Sequence, residues 1–107
     1  MAVVDCTDSL IRLRTIKSPA EIAKQIYVAG LVCDAYDNVP NLVRAGMTER
    51  DVLRAYRADV LGRGVDTVPY IVSAAGPGGS DDAIRYPTDR ALAGGDVLFI
   101  DTGAEID

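Results

Sequence analysis

The residue whose type and place most suggest chemistry is Asp101. It closes the apolar run Val97-Leu98-Phe99-Ile100, which the turn Gly94-Gly95 introduces and Thr102-Gly103 follows. An ionised carboxylate at the end of a buried strand is costly unless something pairs with it. A strand-end turn amide, an arginine such as Arg85 or Arg90, or a divalent cation would each answer that need. Other reactive types are scarce. The chain has no histidine, so it supplies no imidazole base, no triad of the usual kind and no imidazole metal ligand. Cys6 and Cys33 are too few for a zinc cluster or a disulfide framework. The stretch "GPGGSDD" lacks the G-x-x-x-x-GK-(S/T) pattern of a phosphate-binding loop and ends in acids. It reads as a flexible loop with Asp81 and Asp82 solvated.

The elements that must position Asp101 follow from local patterns. In "IKSPAEIAKQIYVAG", Ser18, Pro19 and Glu21 form a cap, a first-turn proline and a capping box, the signature of a helix start. Ile22, Ile26, Ala29, Cys33 and Tyr36 then recur on one helical face, which predicts a packed face with Cys33 as a buried free thiol. Pro40 is expected to end or kink the helix near Asn38. Gly46 breaks the chain, and Thr48 and Asp51 start a second helix, with Val52, Leu53, Tyr56 and Val60 as its apolar stripe. Gly62 and Gly64 stop it. Tyr27, Tyr36 and Tyr56 read as helix-packing residues, and Asp5 and Asp8 as surface or cap residues.

Beyond Gly64 the character changes. "DTVPYIVSAA" is a strand that lies at an edge or starts after Pro69. "IRYPTDRALAGG" is irregular, with a turn at Gly94-Gly95. "DVLFIDTG" is a second strand, and its unbroken apolar run predicts burial on both faces. Helix, helix, strand, strand is an α+β order. The organisation expected is a lead-in over 1–17, a helical hairpin over 18–64, and strands with a loop over 65–107.

The 107 residues carry a net charge of −5, with arginines scattered among acids. Nucleic acid and anionic membranes are therefore excluded as natural partners. No stretch has the length of a membrane span, and the first residues lack a signal peptide's basic start and apolar run. A reducing cytoplasm is the expected location.

Taken in order, "LRTIKSPAEIAKQIYVAG", "RAGMTERDV", "PYIVSAAG" and "YPTDRALAGGDVLFIDTGAEID" resemble the pita-bread metallopeptidases. That superfamily includes methionine aminopeptidase, Xaa-Pro aminopeptidase, prolidase and creatinase. Its catalytic domain begins with an LR-x-IKS-x-x-EI helix and passes through a G-x-TE helix start and a P-x-(I/V)-V strand. It then reaches L-x-x-GD-(V/L)-(V/L)-x-(I/F)-D-x-G. Each segment alone is weak, whereas all of them in this order and spacing are fairly specific.

The resemblance implies half of a pita-bread fold, two helices packed on a curved, mainly antiparallel sheet. It makes Asp101 the first metal-binding aspartate. It implies two divalent ions (Mn, Co, Fe or Zn) and a bridged hydroxide that cleaves a peptide, or another amide or C–N bond. The superfamily's remaining ligands, a second aspartate in G-Y-x-x-D, a histidine and two glutamates, lie beyond the residues matched. The chain is therefore expected to be the first half of the catalytic domain, to bind metal weakly, to be inactive alone and to need the other half as a partner. Glu105 and Asp107 would line the mouth of a complete site, with no reason to name them ligands.

Peptidase members carry a histidine, often a His-Tyr pair, where this chain has Arg85-Tyr86. An arginine there suits a substrate carboxylate, which makes Arg85 and Tyr86 the candidate substrate-binding pair. A structural salt bridge from Arg85 to Asp81, Asp82 or Asp89 is the other reading. Two alternatives follow: a creatinase-like member acting on a small carboxylate substrate, or a binding or assembly module without catalysis. A half-domain exposes sheet surface, so a homo-oligomer is expected.

Overall fold

A computed structural model describes residues 3–79 and 85–107. Three helices, α1 (Thr7–Thr15), α2 (Pro19–Leu42) and α3 (Glu49–Gly62), precede two strands, β1 (Ile71–Pro77) and β2 (Asp96–Thr102). The strands pair antiparallel, with Val72 opposite Asp101 and Ser73 opposite Ile100. The expected α+β class with an antiparallel sheet is met.

Local chemistry sets the helix starts. Ser18 accepts the Glu21 amide while Glu21 returns to the Ser18 amide, and Thr48 and Asp51 do the same for α3. These reciprocal bonds satisfy amides that no helical carbonyl can reach. α3 ends at Gly62, and Gly64 follows with φ +104°, a left-handed conformation that glycine adopts without a Cβ penalty. β1 begins just after Pro69, as the proline requires.

Several features go beyond or depart from the local patterns. The lead-in contains a helix, α1, although none of its residues is buried. Pro40 does not end α2, which runs on to Leu42. The proline removes only the rung to the Tyr36 carbonyl, and the Val43 amide closes the end on Val39.

The face of α2 that packs is also not the one expected. Ala35 is its one buried residue among those described, flanked by Leu31 and Val39, whereas Ile22, Ile26, Tyr27 and Cys33 are exposed. α2 meets α3 through the Leu31-Ala35-Val39 side, the Tyr36 ring against Tyr56, and the Asn38 amide, which donates to Asp59.

The core lies between the helices and one face of the sheet. Ala35, Leu53, Tyr56, Val60, Val65 and Ile71 form its larger part, and Val52, Ala75 and Leu92 a smaller one. Tyr36 stacks on Tyr56 at 5.2 Å between ring centroids. Residues paired across the strands share a face. Ile71, Ser73 and Ala75 with Leu98 and Ile100 therefore face the core. Val72 with Asp101, Ala74 with Phe99, and Gly76 with Val97 face the other way. Val97 and Phe99 are about half exposed, and Leu98 and Ile100 on the core side are partly buried, so β2 is covered in part on one face, not buried on two.

Candidate functional site

Asp101 sits one residue from the end of β2, on the face turned away from the helices and opposite Val72. Its carboxylate is neither deeply buried nor clasped by an arginine. Among the described residues its one polar partner is the Tyr70 hydroxyl, at 3.4 Å from Oδ1, long for an O–H···O bond. The Tyr70 ring lies over Gly103, where a Cβ would come within 2.6 Å of it, so a side chain at that position would displace the ring. Tyr36 approaches from α2 and donates to the Ile100 carbonyl. Burial, with the Asp101 charge nearby, pushes the Tyr36 phenol up, so it remains a donor at neutral pH.

The arginines considered for Asp101 are committed elsewhere. Arg90 pairs with Asp96 at 2.8 Å. The Ala93 amide, with Arg90's help, holds the Asp96 carboxyl below its usual range. Arg85 pairs at 2.6 Å with Glu49, and Asp89 is taken by Arg50 at 2.8 Å. Asp81 and Asp82 lie outside the described residues. The salt bridge expected for Arg85 exists, therefore, but its partner is on α3.

That partner is the group the sequence did not reveal. Glu49 is fully buried. Oε1 accepts the Ala75 amide at 3.0 Å and Arg85 Nη2 at 2.6 Å. Oε2 accepts the Thr88 amide at 2.8 Å and the Thr88 hydroxyl at 2.6 Å. Burial pushes this carboxyl up, but the Thr88 hydroxyl and amide, the Ala75 amide and Arg85 together outweigh it and hold Glu49 below the usual glutamate range. The start of α3 adds a favourable dipole.

Glu49 thereby ties three elements: α3, the outer edge of β1, and the segment that leads into β2. The Glu49 amide adds a bond to the Arg90 carbonyl, and Gly46 and Met47 exchange bonds with Leu92. A signal was present in the sequence. Glu49 stands in line with Val52, Leu53, Tyr56 and Val60, an acid on an apolar stripe.

Asp101, Arg85 and Tyr86 are not brought into mutual contact. Arg85 sits off the outer edge of β1 beside Ala75, and Tyr86 lines a cleft over α3 with Arg50, Arg54 and Arg57. No group of three or more His, Cys, Asp or Glu able to hold a metal occurs among the described residues. No described helix is long and apolar enough to cross a membrane.

Known proteins share this arrangement. The family model for metallopeptidase family M24 matches residues 24–107. Probable dipeptidases PepE of Mycobacterium bovis and Mycobacterium tuberculosis are 31% identical over 97 residues, 91% of this chain and 26% of theirs. The crystal structure of dipeptidase PepE from Mycobacterium ulcerans superposes with a TM-score of 0.86 at 27% identity, over 97% of this chain and 28% of that one. X-Pro aminopeptidase from Thermotoga maritima gives 0.81 at 25% identity, over 92% and 28%. Xaa-Pro dipeptidase from Bacillus anthracis, at 0.78 and 22% identity, shows the fold alone. The chain thus spans about a quarter of the length of these curated relatives, and its fold is part of theirs. With most of its residues under one family model, the chain belongs to metallopeptidase family M24.

Proposed function

We propose that this chain supplies the first metal-ligating strand of a metal-dependent peptidase that cleaves an amide next to a peptide's end, in the manner named for its PepE and X-Pro relatives. The observation that carries the reading is the state of Asp101. It is a hard oxygen donor at a strand end, on a face turned away from the helices, and among the described residues no cation neutralises it and its polar contact is a long one to Tyr70. Such a carboxylate fits a divalent ion that needs oxygen ligands. When bound, divalent ions polarise the scissile carbonyl and lower the pKa of water.

The chain's own residues hold that carboxylate in place. Pairing with Val72 fixes the backbone of Asp101. The Gly103 amide and the Thr102 hydroxyl both donate to the Tyr70 carbonyl, which locks the strand end below it. Tyr36 fastens the neighbouring Ile100 carbonyl. One carboxylate cannot replace an ion's hydration shell, so in this reading further ligands come from the rest of the domain that the relatives possess. The chain alone binds metal weakly and is inactive, and the reading leaves the choice among Mn, Co, Fe and Zn open.

The same reading gives substrate contact to Arg85. One guanidinium nitrogen is spent on Glu49, and the group keeps further N–H donors for a substrate carboxylate. Tyr86, the second residue of the candidate pair, lines the cleft over α3 and, like Arg85, stands apart from Asp101.

The test is a calorimetric titration with Mn(II) or Co(II). It compares the chain alone, the chain joined to the downstream part of a relative's catalytic domain, and the joined protein carrying Asp101→Ala. Weak binding by the chain, tight binding by the joined protein and its loss in the variant support the reading. Tight binding that survives Asp101→Ala contradicts it.

A further inference from the structure

A second candidate site lies on the solvent side of α3, away from Asp101. Arg50, Arg54 and Arg57 follow one another at helical spacing and share a face. Together with Tyr86 and Pro87 they wall a cleft of about 270 Å³ whose floor is Leu53 and Ile71. Both floor residues are buried.

Like charges one turn apart oppose helix formation, so the stripe costs stability unless something offsets it. The nearby acids offset it in part. Asp89 neutralises Arg50 at 2.8 Å, whereas the nearest acid to Arg54 is Asp51 at 3.9 Å, with the Arg54 side chain 80% exposed. No carboxylate among the described residues stands within ion-pair distance of Arg57. In a chain of net charge −5 the general field repels anions. The local field of Arg54, loosely paired, and Arg57, with no carboxylate at ion-pair distance among the described residues, does the opposite over an apolar floor.

The cleft is also held open in advance. Its far wall, the segment around Tyr86 and Pro87, is pinned on both sides. Arg85 and Thr88 bind the buried Glu49 at the start of α3, and Asp89 binds Arg50. Tyr86 itself is 86% exposed, leaving its ring available to an occupant.

We propose that this cleft binds a small ligand bearing an oxyanion, a carboxylate or a phosphate, on an apolar body. Arg54 and Arg57 hold the oxyanion, Leu53 and Ile71 receive the apolar part, and Tyr86 covers it. Guanidinium forks match two-oxygen anions, and a wall fixed before binding spares the ligand the cost of ordering it.

The test is an NMR titration of the full chain at fixed ionic strength, following the arginine side-chain N–H signals and the Leu53 and Ile71 methyls. Inorganic phosphate and N-acetyl-leucine are the two probes. Saturable shifts at Arg54, Arg57 and the floor methyls are expected, with affinity falling about tenfold in Arg54→Gln or Arg57→Gln. Both side chains are exposed, so these variants keep the fold. Saturation by phosphate alone identifies a phosphate ligand and saturation by N-acetyl-leucine alone a carboxylate, and either upholds the site. Shifts that stay linear with both probes, or that are unchanged in the variants, overturn it.

Discussion

At the scale of single residues, Glu49 and Asp101 are opposites. Glu49 is an acid that the fold has consumed, with four donors on two oxygens and no solvent. Removing it leaves the buried Ala75 amide without a partner, and Arg85 and Thr88 without theirs at the margin of the fold, which costs more than the bonds themselves. Glu49→Ala should destabilise the chain by about 3–5 kcal/mol, read as a lower urea midpoint. The acid dependence follows from the same bonds. The folded carboxyl titrates below the unfolded one. Its stabilisation is therefore complete above the ordinary glutamate value of about 4.3 and is lost as pH falls through the lower folded value. Acidification from the ordinary glutamate value down through the lower folded one should lower the wild-type urea midpoint more than that of Glu49→Gln. Equal slopes would show that the carboxylate does not carry the effect.

At the scale of elements, what could be read in the sequence was what neighbours in the chain decide. Both capping boxes, the glycine stop of α3 and the start of β1 after Pro69 are local bargains between adjacent side chains and amides, and each stands as the residues dictate. What could not be read was which side of an element would meet another. α2 carries apolar residues nearly all round, so its periodicity admitted the Ile22-Ile26-Cys33 side as readily as the Leu31-Ala35-Val39 side that packs. The run Val97–Ile100 likewise says that the strand is apolar, not how many layers cover it. Val97 and Phe99, about half exposed on the face turned away from the helices, are where the homo-oligomer expected from the sequence would form. Sedimentation of the chain should show concentration-dependent association that Val97→Lys weakens. A monomer at every concentration would contradict this.

At the scale of the whole molecule, the chain has the family's fold over nearly all its length but spans about a quarter of its curated relatives. The candidate site was legible to the same extent. Asp101 stood out because an acid ending an apolar strand needs a reason. Glu49 stayed hidden because its partners, Ala75, Arg85 and Thr88, lie 26 to 39 positions away and only the folded sheet edge assembles them. The central claim is that Asp101 is kept unpaired for a divalent ion, and paramagnetic broadening tests it on the chain as it stands. Mn(II) added in small amounts should first erase the amide signals of Val72, Asp101 and Gly103, and Asp101→Ala should abolish that pattern. Broadening centred instead on Asp66, Glu105 and Asp107, the same in the wild type and the variant and sparing the Asp101 strand end, would contradict it.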